Sequence, residues 1–148
     1  MTSSVTPAMP GDAEAIAELL TASALPLDGA LACLGCAVVA RVDERLVGCA
    51  ALELYGPDAL LRSVAVAGAL HGRGVGRRLV AVALDLARDR GVATVYLLTT
   101  TAEAFFHHLG FERVAREAVP AAVRASVEFT SACPASAAVM RKALTVRG

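Results

Sequence analysis

The run His71-Gly72-Arg73-Gly74-Val75-Gly76-Arg77-Arg78 sets glycines at alternate positions and closes on two arginines. Glycine lets a backbone approach a ligand closely, and the free N–H groups at a helix start attract anions. Arg73, Arg77 and Arg78 add positive charge. The combination predicts a cradle for a phosphorylated ligand, placed after a strand that contains Arg62-Ser63-Val64-Ala65-Val66. A second feature is Glu53, which interrupts an apolar stretch where an unpaired carboxylate is costly. If residues 55–58 turn a hairpin, Leu54 faces Ala59 and Glu53 faces Leu60. Arg62 is then the diagonal neighbour of Glu53 on the same face, within reach of long side chains.

The elements that must position these residues follow from periodicity and punctuation. Residues 3–8 read as a first strand. A helix starts at Pro10-Gly11-Asp12, with Ile16, Leu19 and Leu20 on one face, and Leu25-Pro26-Leu27-Asp28-Gly29 breaks it. A short helical turn is expected up to Leu34. Residues 36–42 and 46–54 read as two strands with Asp43-Glu44-Arg45 as the polar tip, and residues 59–67 as a third. The helix over 74–90 carries Val75, Leu79, Val82, Ala83 and Leu86 on one face and stops at Gly91. Residues 92–99 form an apolar strand of the kind covered on both faces. A short helix over 102–109, a strand over 111–116, a helical stretch over 120–129 and a last strand over 135–144 complete the chain.

Composition narrows the function classes. The 148 residues are 56% apolar and 19% charged, enough for one domain with a core. A formal net charge of zero argues against a nucleic-acid surface. Arg41 and Arg45 interrupt the longest apolar run, so no membrane span is expected. Residues 1–10 show no basic start and no apolar leader, and a cytoplasmic location is the expectation. Cys33-Leu34-Gly35-Cys36 has CxxC spacing, but zinc would need a second ligand pair and a thioredoxin-like role would need a strand-to-helix junction. Ordinary packing is the simpler reading for these thiols, and for Cys49 inside an apolar strand. No metal is expected.

Three glycine-rich cradles compete for the phosphate ligand. A nucleotide P-loop needs GK[ST], and here Gly76 is followed by Arg77-Arg78. A dinucleotide fingerprint would put its third glycine where Arg77 stands and an acid at the end of the next strand, which reads Leu97-Leu98-Thr99. The third pattern, [QR]-x-x-G-x-[GA], resembles the acyl-coenzyme A cradle of the GNAT acetyltransferases. Both glycines match and His71 departs. Leu61-Arg62-Ser63-Val64-Ala65-Val66 is similar to that family's preceding strand, and Phe105-Phe106-His107-His108-Leu109-Gly110-Phe111 to its late helix-to-strand junction. Four further blocks resemble the arsenic-resistance N-acetyltransferase subfamily: Gly48-Cys49-Ala50-Ala51-Leu52-Glu53, Leu60-Leu61-Arg62-Ser63, Tyr96-Leu97-Leu98-Thr99-Thr100-Thr101 and Cys133-Pro134-Ala135-Ser136-Ala137.

The resemblance implies an α/β (α+β) domain over 1–148. Its sheet is mixed, mostly antiparallel, with six or seven strands and helices on both faces. The strands over 59–67 and 92–99 should be parallel neighbours that splay apart to admit acetyl-CoA. It implies transfer of an acetyl group from acetyl-CoA to the amine of a small molecule, with an arsenical or phosphinate amino acid as the subfamily's acceptor and a homodimer as a family-level expectation. Coenzyme A contacts fall on Val64, Ala65, Val66, His71, Gly72, Arg73, Gly74, Val75, Gly76, Arg77 and Phe105. Backbone N–H groups near Val64 would serve the thioester carbonyl. Glu53 is then a candidate general base, directly or through water; the alternative is a structural Glu53–Arg62 ion pair. Arg62 is also a candidate for gripping a substrate carboxylate.

The family's usual Tyr acid is replaced by Phe106, which cannot protonate a leaving thiolate. His107, His108, Ser63 and Thr101 are the substitutes, with Ser63 taken as catalytic and Thr101 as substrate-binding. Cys133 would be a soft ligand for trivalent arsenic or a packed thiol beside a turn proline. Two other classes stay open: an acyl-CoA-binding module without turnover, and a protein acetyltransferase.

Overall fold

The computed structural model describes residues 4–133 and 135–144. Among these residues the chain runs β1 (Ser4–Pro7), α1 (Ala13–Ala22), β2 (Ala37–Val42), β3 (Arg45–Tyr55), β4 (Asp58–Val66), α2 (Val75–Asp89), β5 (Thr94–Thr99), α3 (Glu103–His108), β6 (Glu112–Arg113), α4 (Ala121–Arg124) and β7 (Ala138–Ala143). The strands make one seven-stranded sheet in the order β1-β2-β3-β4-β5-β7-β6. Every neighbouring pair is antiparallel except β4 and β5, which are parallel and joined through α2.

Two hairpin turns set the register at the centre. Asp43 and Glu44 both have positive φ (51° and 66°), the conformation that a two-residue turn needs to follow the strand twist. The tip is therefore Asp43-Glu44, and Arg45, expected in the turn, already belongs to β3. At the next turn Tyr55 pairs with Asp58, Leu54 with Ala59 and Glu53 with Leu60. That is the register expected from the hairpin over 55–58, and it puts Arg62 diagonally across from Glu53.

Residues at alternate positions feed two opposite faces of the sheet. Leu52, Ala59, Leu61, Val95, Leu97 and Met140 pack under α2. The buried stripe of α2 is Val75, Leu79, Val80, Ala83, Leu84 and Ala87. Val82 and Leu86, assigned to that stripe from the sequence, are only half-buried at its margin. The opposite face carries two separate clusters. Ile16 and Leu20 of α1 cover Val39, Cys49 and Ala65 at one end. Val119 and Val123 cover Leu60, Tyr96 and Val139 at the other.

The late elements are shorter than their sequence patterns suggest. β5 starts at Thr94 because the Ala93 N–H is taken by the Pro57 carbonyl at 2.7 Å. The strand expected over 111–116 is limited to Glu112–Arg113, since Phe111 turns its N–H to the Phe106 carbonyl and a 3-10 turn follows at Arg116–Ala118. The helical stretch over 120–129 breaks at Ser126 and resumes as a π turn at Glu128–Ala132. β7 occupies 138–143 of the expected 135–144. Ser3 and Pro134, each part of a sequence expectation, lie outside the described residues.

One glycine marks how tightly β3 meets α2. A Cβ at Gly48 would sit 2.7 Å from Leu79 Cδ1 and 3.2 Å from the Ala65 carbonyl oxygen. Gly48→Val should therefore overpack the core and cost about 1–3 kcal/mol, measured by urea denaturation.

Candidate active site

β4 and β5 pair only at Asp58–Thr94, Ala59–Val95 and Leu60–Tyr96. Both strands continue, β4 to Val66 and β5 to Thr99, but without ladder bonds between them. The sheet thus opens into a V at its centre. The cause lies partly in β4. Cys49 pairs with Ala65 and Ala51 with Arg62, so two residues of β4 stand where β3 supplies one. The extra residue is a bulge at Ser63, whose φ of +58° lies in the left-handed region. The Cys49 thiol donates to the Ser63 carbonyl at 3.1 Å, and Arg62 Nε donates to Ser63 Oγ at 3.2 Å. A bulge bends its strand and re-aims the residues that follow, here Val64, Ala65 and Val66.

The V leads into a cavity of about 460 Å³, within the usual range for small-ligand sites. Its walls include Val64, Ala65, Val66 and His71 on one side and Thr99, Thr100 and Thr101 on the other. At its edge α2 begins at Gly74, with φ of +79°. The first intrahelical bond runs from the Arg78 N–H to the Gly74 carbonyl. The N–H groups of Val75, Gly76 and Arg77 precede it and have no intrahelical acceptor. A Cβ at Gly72 or Gly74 would meet nothing within 4 Å, so this turn lies open to a ligand. Both glycines have positive φ, +80° and +79°. His71, which stands where a Gln or Arg is usual, bonds through Nε2 to the Val66 carbonyl at 2.8 Å. It ties the glycine turn to the end of β4.

The expected coenzyme A contacts divide accordingly. Val64, Ala65, Val66 and His71 line the cavity, and Gly72, Arg73, Gly74 and Arg77 are exposed at the turn. The side chain of Val75 instead packs into the core, leaving only its N–H for a ligand. Phe105 lies against Gly76, whose Cβ would be 3.3 Å from the ring. Phe106 does line the cavity; it is buried in an edge-on aromatic row with Phe105 at 5.0 Å and Phe111 at 5.7 Å. His107 and His108 are both exposed and neither lines the cavity, whereas Ser63 and Thr101 do.

An ionic cluster fills the space between the two apolar clusters on the α1 side of the sheet. Arg62, with a fully covered side chain, donates from Nη1 to Glu53 at 2.8 Å, and its Nη2 lies 3.6 Å from Glu128. Glu53 also accepts a short hydrogen bond from the Tyr55 hydroxyl and one from Ser126. Burial pushes the Glu53 carboxyl up, but the bonds from Ser126, Tyr55 and Arg62 together hold it below its usual range. Tyr55 is pushed up to about 12 by burial and by Glu53.

Glu53 is not part of the cavity wall; its oxygens are held by Arg62, Tyr55 and Ser126. The geometry is that of a largely buried ion pair. Arg62 touches the cavity, but its side chain is covered and already faces two carboxylates.

The carboxylate in the cavity wall is Glu128, together with Cys133. The sequence reading did not single out Glu128. Its signal is modest: one acid between Val127 and Phe129 in a stretch that reads as an amphipathic helix. Among the described residues, no group of three or more His, Cys, Asp or Glu is arranged to hold a metal ion, and no helix is long and apolar enough to cross a membrane.

A central V between parallel strands, with a glycine turn opening a helix at its mouth, defines an acetyltransferase fold. The acetyltransferase (GNAT) domain family matches residues 34–113, more than half of the chain, and the chain belongs to that family. Among curated proteins, an uncharacterized N-acetyltransferase of Chlorobaculum tepidum is 32% identical over 83 residues, covering 55% of this chain and 53% of that protein. The amino-acid acetyltransferase of Mycobacterium tuberculosis is 38% identical over 80 residues, 53% of this chain and 45% of that one. The chain thus spans about half the length of the curated relatives it matches. Among solved structures, N-acetylglutamate synthase from Neisseria gonorrhoeae, complexed with coenzyme A and N-acetyl-glutamate, superposes with a TM-score of 0.84 at 23% identity. That match covers 98% of this chain and 36% of the synthase.

Proposed function

We propose that this chain is an acetyl-CoA-dependent N-acetyltransferase for a small-molecule amine, acting as a single domain over 1–148. The observation that carries the reading is the V between β4 and β5, which opens onto the glycine turn at the start of α2. Solved structures of similar fold hold coenzyme A. Free N–H groups at residues 75–77, with Arg73 and Arg77 beside them, suit a pyrophosphate. The pantetheine arm would run along the unpaired edge of β4 past Val66 and Val64. There a backbone N–H would stabilise the thioester oxyanion.

The acceptor amine must lose a proton before it attacks, since a primary amine titrates at roughly 10. Its nitrogen bonds to the thioester carbon, the C–S bond breaks, and the coenzyme leaves as a thiolate. Phe106 supplies no proton. A thiol titrates at about 8.5, so the thiolate is a tolerable leaving group, and the hydroxyls of Ser63 and Thr101 line the same cavity. The four blocks resembling the arsenic-resistance subfamily support an arsenical or phosphinate amino acid as acceptor. The family resemblance supports a homodimer. The amino-acid acetyltransferase relative supports an amino acid more broadly. Phe106 is the observation that favours a second reading, an acyl-CoA-binding module without turnover.

Two measurements decide between them. Acetyl-CoA at a hundred times its Kd should raise the melting temperature by about 5–10 °C. Thiol release should then appear with at least one member of an amine panel that includes arsenical, phosphinate and ordinary amino acids. A thermal shift without thiol release would favour the binding module. No thermal shift at saturating acetyl-CoA would sink both.

A further inference from the structure

We infer that Glu128, and not Glu53, receives the proton of the acceptor's ammonium group, with Cys133 as the residue that positions its carboxylate. The inference rests on the acetyltransferase reading and names a base for it. Three observations carry it.

The first is placement. Glu128 and Cys133 both reach the cavity wall, although they come from the segment between α4 and β7 and not from the central strands. A π turn brings this about. The Cys133 N–H donates to the Glu128 carbonyl at 3.1 Å, so two residues five apart are held on the same side. Such turns are rare and are frequent at functional sites. The Glu128 N–H is itself fixed by Ser126 Oγ at 3.2 Å.

The second is charge. Glu128 is 5% exposed, and a buried carboxylate needs a counter-charge. The nearest cation is Arg62, but its close bond goes to Glu53 at 2.8 Å, while Glu128 stands at 3.6 Å. One guanidinium thus serves two carboxylates. The looser of the two faces the cavity, where an ammonium group would complete its neutralisation. The charged and titratable groups around Glu128 are Arg62 from β4, Glu53 from β3, Asp28 and Cys33 from the segment between α1 and β2, and Cys133 on its own turn.

The third is basicity. Burial, then the nearby Glu53 and Asp28, push the Glu128 carboxyl above its usual range, against the opposing pull of Arg62 and the Cys133 thiol. A raised carboxyl accepts a proton more readily from an amine that the cavity has stripped of water. Burial and Glu128 push Cys133 up to about 11, so it remains a thiol and donates its S–H to the carboxylate. In the step itself the ammonium proton passes to a Glu128 oxygen and the freed lone pair attacks the thioester carbon. The tetrahedral adduct expels the coenzyme thiolate. The second nitrogen proton goes to that thiolate through water, and Glu128 returns its own proton to solvent.

The test is a pH series of thiol release by the full chain with acetyl-CoA and small primary amines as probes: amino acids, diamines, and arsenical and phosphinate amino acids. Glu128→Gln should lower turnover at pH 7 by about a hundredfold or more and leave the acetyl-CoA thermal shift unchanged. The deficit should shrink as the pH approaches the amine's own value of about 10, where solution removes the proton. Cys133→Ala removes a donor to the carboxylate, so the acid limb of kcat/KM should move to higher pH. Parent turnover with an unaffected Glu128→Gln variant, or with an equal loss at every pH, overturns the assignment and leaves the acetyltransferase standing. If Glu128→Gln fails to fold, an unmoved acid limb in Cys133→Ala overturns it instead. A parent chain that releases no thiol with any amine overturns the acetyltransferase reading, and the base with it.

Discussion

Glu53→Gln should cost about 3 kcal/mol of folding stability while leaving turnover per folded molecule close to that of the parent chain. The loss follows from the partners of the carboxylate. Arg62 is fully covered, and its close ionic bond is the 2.8 Å contact to Glu53. Gln keeps one acceptor oxygen and the shape, but not the charge that offsets the buried guanidinium. Arg62→Leu should be more harmful than the loss of one bond suggests. It leaves Glu53 and Glu128 together without their cation, and removing one partner of a buried pair costs roughly 3–5 kcal/mol.

The pH dependence gives the sign. The Glu53 carboxyl is held below its unfolded value, so its contribution is present above that value, roughly 4.5, and is lost as the pH falls through the folded one. The difference between parent and Glu53→Gln should therefore be widest near neutral pH and shrink in acid. Glu128 acts in the opposite sense: its raised carboxyl favours the folded state below its unfolded value, and that contribution fades as the pH rises through the folded one. Chemical denaturation at several pH values measures both trends. A Glu53→Gln variant of parent stability whose turnover has collapsed would return Glu53 to the chemistry.

Gly74→Glu should remove acetyl-CoA binding, with affinity reduced by about a hundredfold or more, because like-charge juxtaposition costs several kcal/mol. The carboxylate would stand at the start of α2, where the free N–H groups of residues 75–77 otherwise meet the ligand's phosphates. Gly74→Ala is the control. Space is not the obstacle there, since a Cβ would meet nothing within 4 Å. The φ of +79° is, and a non-glycine residue held in that region costs about 1–3 kcal/mol. The alanine variant should thus lose stability and keep binding, and the glutamate variant should lose both. Calorimetric titration with acetyl-CoA separates them. Equal binding by the parent and Gly74→Glu would remove the glycine turn from the ligand site.

The sequence by itself determined what depends on neighbours along the chain. The glycine turn was legible because positive φ and a free helix start leave a mark in residue types, as at Gly72, Gly74 and the α2 stripe. The Glu53–Arg62 pair was legible because hairpin register follows from a short turn: Tyr55 opposite Asp58 puts Glu53 opposite Leu60 and Arg62 on the diagonal. The parallel pair β4 and β5 was expected from the family resemblance that the glycine turn and its flanking blocks carry.

Tertiary structure decided which members of those patterns border the cavity. The bulge at Ser63 has no sequence signature, since serine is not the residue that usually takes a φ of +58°. Yet it shifts the alternation of β4, so that Ala65 shares a face with Leu60 and Arg62. For Glu53 and Arg62 the sequence showed one pair, while their burial and a third partner belong to the folded molecule. That partner, Glu128, lies 66 residues beyond Arg62 in the chain and reaches it only because the segment between α4 and β7 folds back over the sheet. Its place in the cavity depends on a π turn, whose five-residue closure breaks the helical period expected over 120–129. A charge balance between distant residues is a property of the folded molecule, and no local pattern could have announced it.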